Sequence, residues 1–321
     1  MPRRSRAAVR QCILVIHEWL EHMRKTDSRT SAAPRRRQDF QNLLTGPTFT
    51  AVGVYDAISA RAAESAEFSS LLVTGYGVAA TYGYPDIGLL SQREVFDATE
   101  RIVSSTSLPV IADADTGYGG VLNVMRTVEV FEQMGAAAIQ IEDQTFPKRC
   151  GSMSGKSIID VDEMRQKVNA AVTARTDASM PIIVRTDALL VSGLEDAIAR
   201  AVAYEQEGAD VILLHGTRSF DEIAECAGHI SVPLAVISSE SKKSIMARRS
   251  EYERAGARLV EFPLSLLFAQ ATMQQHYAKR LVEETTNRAV ADDVMPFDTF
   301  TDFMAMNQWR DLEAKWVSAT E

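Results

Sequence analysis

The passage Pro109-Val110-Ile111-Ala112-Asp113-Ala114-Asp115-Thr116-Gly117-Tyr118-Gly119 leads into an amphipathic stretch, Val121–Met134, and then into Gly135-Ala136-Ala137-Ala138-Ile139-Gln140-Ile141-Glu142-Asp143. Two short apolar runs thus flank one helical pattern, as in a parallel βαβ unit. Each run ends in a pair of acids. Acidic side chains at the end of a buried strand are costly unless they hold a metal or a substrate. A Lys/Cys segment, Pro147-Lys148-Arg149-Cys150-Gly151, follows the second pair directly. The stretch Ile111–Lys156 therefore carries both a fold signal and a candidate active site.

The same alternation extends in both directions. Strands are expected at Phe49–Val54, Leu71–Thr74, Val110–Ala112, Ala138–Ile141, Ile182–Arg185, Val211–Leu214, Leu234–Ile237 and Leu259–Phe262. Helices are expected at Gln92–Val103, Val121–Met134, Val161–Ala174, Leu194–Glu207 and Phe220–Ala227. Gly135, Gly208 and Gly256 close helices just before strands. Pro109, Pro181 and Pro233 introduce three others, where no ladder donor is needed. Eight units in roughly 230 residues predict the α/β class with a (β/α)8 TIM barrel. An open doubly wound sheet is the alternative, but no GxGxxG fingerprint supports it.

Three segments are expected. Residues 1–37 form a basic, flexible extension, residues 38–285 the barrel, and residues 286–321 a C-terminal helical segment. Within the last, Thr299–Val317 carries Phe300, Phe303, Trp309 and Trp316, and reads as an added helix that caps the barrel or is exchanged with a neighbouring subunit. The extension holds ten Lys/Arg against three acids, net +7, which leaves −16 for the rest of a chain whose total is −9. An acidic body argues against nucleic acid as partner. No apolar run reaches the ~18 residues of a membrane span. Cys12, Cys150 and Cys226 form no CxxC pair, which fits a reducing cytoplasm. A transit peptide is one reading of the Arg-rich arm, in which Gln11–Met23 could be an amphipathic helix, but Glu18 and Glu21 count against it. A disordered extension, or a start at Met23, is the other.

In a barrel, chemistry sits at the C-terminal ends of the strands. Tyr55/Asp56, Thr74/Gly75/Tyr76, Asp113/Asp115, Glu142/Asp143, Arg185/Asp187, His215, Ser238/Ser239 and Ser265 all fall there. Blander roles remain for single members: Asp115 as a helix cap, Arg185 in a structural ion pair, Cys150 as a small hydrophobe, His215 as a core histidine.

Taken together, Tyr55-Asp56-Ala57, Thr74-Gly75-Tyr76-Gly77, Pro85-Asp86, the Asp113–Gly119 motif, Glu142-Asp143-Gln144 with Pro147–Gly151, and Arg185-Thr186-Asp187-Ala188 resemble the isocitrate lyase/phosphoenolpyruvate mutase superfamily over roughly residues 38–285. The resemblance implies a homotetrameric Mg2+ enzyme, with Mn2+ as a substitute, acting on a small 2-oxo or 2-hydroxy carboxylic acid. It implies Asp113 as direct metal ligand, with Asp86, Asp115 and Glu142 acting through waters, as suits a cation that dehydrates reluctantly. The metal would stabilise the enolate left by bond cleavage. Thr74, Gly75 and Tyr76 would bind the substrate carboxylate, with Asp86, Gly151, Ser152 and His215 around it. Arg185 would clamp a second anion. Cys150, Lys148, Arg185 and Tyr55 would be the catalytic residues, with the Cys150 thiol's pKa lowered by Lys148, Arg149 and Arg185.

Cys150 matches the C–C lyases of that superfamily, such as 2-methylisocitrate lyase, where the phosphonate enzymes usually carry asparagine. Pro263-Leu264-Ser265 is also lyase-like. Ser152 replaces the lyases' loop histidine, His215 replaces a glutamate and matches the phosphonate enzymes, and Ile237 stands where the lyases carry asparagine. The leading expectation is C–C cleavage of a methylisocitrate-, dimethylmalate- or oxaloacetate-like acid through an enolate. The alternatives are mutase or hydrolase chemistry on the C–P bond of phosphonopyruvate-type substrates, and a barrel that binds without catalysis. The loop Phe146–Lys156 reads as a lid.

Overall fold

A computed structural model describes residues 28–317 apart from 242 and 243. The expectations for Gln11–Met23 and for the Lys242-Lys243 surface lie outside the described residues. Eight strands close a parallel barrel in sequence order: β1 (Phe49–Val54), β2 (Ser70–Val73), β3 (Val110–Asp113), β4 (Ala138–Glu142), β5 (Ile182–Thr186), β6 (Val211–Leu214), β7 (Leu234–Ile237) and β8 (Ala257–Phe262). The chain thus folds as a (β/α)8 barrel.

Before β1 runs α1 (Ser28–Thr45). The connecting helices are α2 (Ala57–Ser65), α3 (Gly75–Thr81), α4 (Gln92–Ser105), α5 (Val121–Met134), α6 (Val161–Ala174), α7 (Ala188–Val191), α8 (Leu194–Gln206), α9 (Phe220–Ala227) and α10 (Arg249–Arg254). Their ends follow local chemistry. Ser91 and Glu94 form a reciprocal capping box on α4, and left-handed Gly135 (φ 87°) closes α5 immediately ahead of β4.

The alternation of each strand aims the site. Ile111, Ala138, Ile183, Leu213 and Leu259 pack inside the barrel, whereas Ala112, Ile139, Val184, Leu214 and Val260 pack outward against the helices. Period two then turns Asp113, Gln140, Glu142, Arg185, His215 and Glu261 toward the barrel axis, and Asp143 away from it.

The segment expected to be flexible up to residue 37 is helical from Ser28 and docked by Arg37, which is 5% exposed. Arg37 Nε donates to the Ala136 carbonyl (3.1 Å), Nη2 donates to the Glu132 carbonyl (2.7 Å), and Nη1 pairs with Asp177 (2.7 Å). These contacts join α1 to the α5–β4 turn. Composition marked this stretch as solvated, but a guanidinium can bury when each nitrogen finds an acceptor. Arg37→Ala should lower stability by about 3 kcal/mol, because it leaves buried carbonyls unpaired. Urea unfolding checks this, and a loss below about 1 kcal/mol would mean that α1 docks without that side chain.

The chain divides into two compact units, the first ending at Leu266 and the second beginning at Leu267. The unit that holds the barrel ends at Leu266, ahead of the boundary expected at residue 285. The next helix, α11 (Ser265–Glu284), has no buried residue, unlike the helices that line the barrel. Within the second unit, Arg280 pairs with Asp293 (2.7 Å) and the Tyr277 hydroxyl donates to the Asp293 carbonyl (3.0 Å). The expected single helix Thr299–Val317 is two, α12 (Phe297–Phe303) and α13 (Met306–Val317), broken where Ala305 adopts φ 60°. Phe297, Trp309 and Val282 are exposed. No helix of the described residues is long and apolar enough to cross a membrane.

Candidate active site

At the C-terminal mouth of the barrel, a narrow cleft of about 50 Å3 is lined by Asp86, Asp113, Lys148, Cys150, Arg185 and His215, among others. Thr74, Gly75, Tyr76, Gly151 and Ser152 also line it, so most of the expected binding residues are brought together. The Asp113 carboxylate accepts from the backbone N–H of Asp115 (3.0 Å) and of Gly75 (3.3 Å). Gly75, expected to donate to a substrate carboxylate, thus points its N–H at Asp113. Burial and the neighbouring Asp115 charge push the Asp113 carboxyl up to about 6.

Lys148 bridges Asp86 and Asp115, its Nζ lying 2.7 Å from each. Burial opposes its charge, but Asp115 and Asp86 outweigh it and hold the ammonium well above its ordinary pKa. Such a lysine is charged and ties the loop to the two acids. The Cys150 N–H donates to the Asp86 carbonyl (3.0 Å), which lays the loop across the acids.

The expected lowering of the Cys150 thiol is not found. Burial pushes it up and Asp86 adds to this; a backbone hydrogen bond from Ser152, with Arg185 and Lys148, pulls down by less. The nearby lysine does little because its field is spent on two carboxylates. Cys150 is therefore a protonated thiol, suited to giving a proton.

Arg185 is not a free clamp. Its Nε and Nη2 form a fork onto Asp187 (2.9 and 3.1 Å) and its Nη1 pairs with Glu142 (3.2 Å), leaving the outer Nη1 and Nη2 hydrogens for a ligand. Asp187 is fully buried, and although burial opposes its charge, Arg185 and His215 hold it well below the usual carboxylate range. His215 Nδ1 lies 3.1 Å from Asp187. Burial and the Arg185 charge pull this imidazole down to about 4 despite Asp187, so it is neutral near pH 7. Lys156, from the far end of the loop, also reaches Asp187 (3.2 Å) and the Gly151 carbonyl. The loop is thus anchored at both ends.

Two expectations fail on geometry. Tyr55 does not line the cleft: it packs beneath Gly77 and its hydroxyl is directed at the Leu266 carbonyl, 3.5 Å away. Asp143, adjacent to Glu142 in sequence, turns outward and accepts from Thr186 Oγ1 (2.7 Å), the Tyr204 hydroxyl (2.9 Å) and Asp187 N (2.9 Å). It orders the base of the site. Two contributors were missed. Glu261, with both carboxyl oxygens buried and unpartnered among the described residues, and Gln140, with its Oε1 likewise bare, sit on the cleft floor. Asp187, expected at the mouth beside Arg185, is the acid that holds that guanidinium. The signal for Glu261 was an acid two residues past Leu259 in an otherwise apolar strand.

The donor set suits a hard cation. Asp86, Asp113, Asp115 and Glu142 offer only oxygens, and Glu142 Oε1 is buried with no hydrogen-bond partner among the described residues. Burial drives Glu142 well above the usual carboxylate range, against the pull of Arg185. Among the described residues no three His, Cys, Asp or Glu side chains close into a direct-ligand cluster.

Residues 40–282 match the family described as phosphoenolpyruvate phosphomutase. The chain is 33% identical over 277 residues to 2,3-dimethylmalate lyase of Eubacterium barkeri, covering 86% of this chain and 96% of that one. It is 35% identical over 282 residues to 2-methylisocitrate lyase of Shewanella oneidensis, covering 85% and 96%. A solved oxaloacetate acetylhydrolase in complex with the inhibitor 3,3-difluorooxalacetate superposes with a TM-score of 0.83 at 32% identity, over 89% of this chain and 97% of that one. With that extent of likeness around one intact cleft, the chain belongs to the isocitrate lyase/phosphoenolpyruvate mutase superfamily of lyases and mutases.

Proposed function

We propose that this protein is a Mg2+-dependent C–C lyase that cleaves a 2-hydroxy or 2-oxo diacid of the methylisocitrate, dimethylmalate or oxaloacetate kind to a 2-oxo acid or its equivalent. The observation that carries the reading is the closed loop: Cys150 N–H on the Asp86 carbonyl and Lys148 between Asp86 and Asp115 hold a protonated thiol over the acid cluster.

For a hydroxy diacid, the bond between the hydroxyl-bearing carbon and the carbon bearing the second carboxylate breaks. The hydroxyl proton leaves toward the carboxylate cluster, the oxygen becomes the carbonyl of the 2-oxo acid, and the bond's electron pair passes to the second carbon. That carbon then takes the thiol proton of Cys150. A buried thiol held in its protonated form is the right donor for a carbanion. Phosphoryl migration needs no proton delivered to carbon, so the thiol favours C–C cleavage over mutase chemistry; C–P hydrolysis, which also protonates the carbon it leaves, is told apart by phosphate release.

Mg2+ would be held directly by Asp113 and through waters by Asp86, Asp115 and Glu142; when bound it supplies Lewis-acid stabilisation of an enolate-like charge. The outer edge of Arg185 and the neutral His215 would orient the second carboxylate, and the lid excludes water from the carbanion. Mn2+ would substitute. A small carboxylic acid is the partner, the homotetramer remains an expectation, and the lack of a CxxC pair is compatible with a cytoplasmic site of action.

The test is release of 2-oxo acid from 2-methylisocitrate and 2,3-dimethylmalate and of oxalate with acetate from oxaloacetate, alongside phosphate release from phosphonopyruvate. Cys150→Ser should cost at least about 100-fold in turnover with little change in substrate affinity, the range of a lost general acid. Phosphate release with no effect of Cys150→Ser would move the reading to the C–P branch, which neutral His215 and Ser152 would accommodate. Mg2+ should also raise the thermal midpoint of the wild type, by mass action on the folded state, and not that of Asp113→Ala. Equal shifts in both would remove Asp113 from the metal site, and no shift in either would favour a barrel that binds without catalysis.

A further inference from the structure

Gly151, Ser152, His215, Ile237 and Ser239 line the cleft on one side and on the other line a second chamber of about 550 Å3. The first compartment, at about 50 Å3, is an order of magnitude smaller. Volumes of roughly 300–1,000 Å3 are those of pockets that enclose ligands much larger than a three- or four-carbon acid.

The chamber wall has a definite chemistry. Leu190, Val191 and Ile237 give it an apolar side, and Leu190 is fixed there by Gly216, where any Cβ would come within 2.4 Å of it. Ser241, Ser244 and Thr217 give it a hydroxyl side. Thr217 is 2% exposed and its Oγ1 has no hydrogen-bond partner among the described residues, so a buried hydroxyl is left facing the space. Arg218 sits at the rim, exposed, with no ion pair among the described residues. A buried polar group left bare costs roughly 1–3 kcal/mol, which a ligand atom would relieve.

Resting on the lyase reading above, we infer that this chamber receives the far end of the substrate: an unbranched chain of several atoms on the carbon beyond the breaking bond, apolar along its length and ending in an anionic group near Thr217 and Arg218. The substrate class is then a long-tailed diacid or triacid, larger than dimethylmalate. The cleft holds the reacting carbons and the chamber selects for length.

The full-length protein with Mg2+ can be titrated calorimetrically with succinates bearing, on carbon 2, chains of one, three or five carbons that end in carboxylate or in methyl. Affinity should rise by at least about tenfold from the shortest to the longest chain, consistent with burial of added methylenes. Carboxylate-ended chains should bind better than methyl-ended ones. Val191→Trp, at a half-exposed wall position that tolerates substitution, should abolish the dependence on length and leave the shortest probe unchanged. Thr217→Val, which removes only the bare hydroxyl, and Arg218→Ala should each weaken the long carboxylate-ended probe several-fold and spare the short one. Affinity that is flat or falls with length, or a length dependence that survives Val191→Trp, overturns the inference. Release of 2-oxo acid from 2,3-dimethylmalate tests the lyase reading separately. No release with length-dependent binding sinks that reading and keeps the chamber as a binding site; release with flat binding does the reverse.

Discussion

Gly151→Ala is expected to cut turnover by about 100-fold or more while the protein stays folded. A Cβ at this position would lie 2.2 Å from His215 Nε2, 2.4 Å from His215 Cε1 and 2.7 Å from Arg185 Nη2. Neither neighbour can retreat cheaply. Arg185 is forked onto Asp187 and paired with Glu142, and His215 is buried against the same Asp187. The loop must therefore yield, carrying with it the adjacent Cys150 and, two residues further back, Lys148. A displacement of about 1 Å at a proton donor is worth two orders of magnitude in rate. The fold should survive, because the loop is no part of the barrel's apolar core. Adding His215→Ala removes the two closest of these three contacts and leaves only Arg185 Nη2, so the double variant should lose less than the product of the two single losses. Steady-state kinetics on the three variants and urea unfolding of Gly151→Ala read this out. Turnover within threefold of wild type would mean that the closed loop is not the reacting arrangement.

How far the sequence discloses this site depends on whether a feature is local. Strand positions are local. Gly135 and Pro109 stand where a helix must stop or a ladder donor is spare, and β1, β6 and β7 have the expected bounds. β8 begins two residues before the expected Leu259, because Gly256 at φ 92° turns directly into it. Strand-end acids are local too, and Asp113, Asp115 and Glu142 follow from the same pattern. Charge state is not local. The Cys150 thiol is raised, although a sequence rich in nearby cations suggests lowering, because the fold buries it and sets it beside Asp86, more than sixty residues away in the chain. Arg37 shows the same limit: its run of arginines looks solvated until the carbonyls of Glu132 and Ala136 are in place. Asp143 could have been separated from Glu142 by period two alone. Reading acids as a cluster obscured the fact that neighbours in a strand face opposite ways.

Replacing Glu261 with leucine should stabilise the protein, and by an amount that grows with pH. The Glu261 carboxyl is fully buried and both its oxygens lack partners among the described residues. Burial first, then the Asp113 charge, push it up to about 8 from an ordinary 4.5, against the pull of Arg185. Raising the folded-state pKa of an acid makes the folded protein the better proton binder. Below about pH 4.5 the carboxyl is protonated folded or unfolded and brings no ionisation penalty. Between about pH 4.5 and 8 only the unfolded state ionises, so stability falls as pH rises; above 8 the penalty is complete. A shift of roughly three units corresponds to about 4 kcal/mol, and leucine of similar volume restores apolar contacts. In the presence of a chelator, Glu261→Leu should therefore raise the thermal midpoint by on the order of 10 °C at pH 8, and by only a few degrees at pH 5. A gain that is the same at both pH values would show that Glu261 has a partner in solution. The variant should also lose turnover, since the carboxyl lies on the cleft floor with Asp113 and Gln140. Greater stability with less activity is what a polar group held bare at a binding site produces on removal. A stabilised variant that keeps full turnover would leave Glu261 as a buried acid with no part in the site.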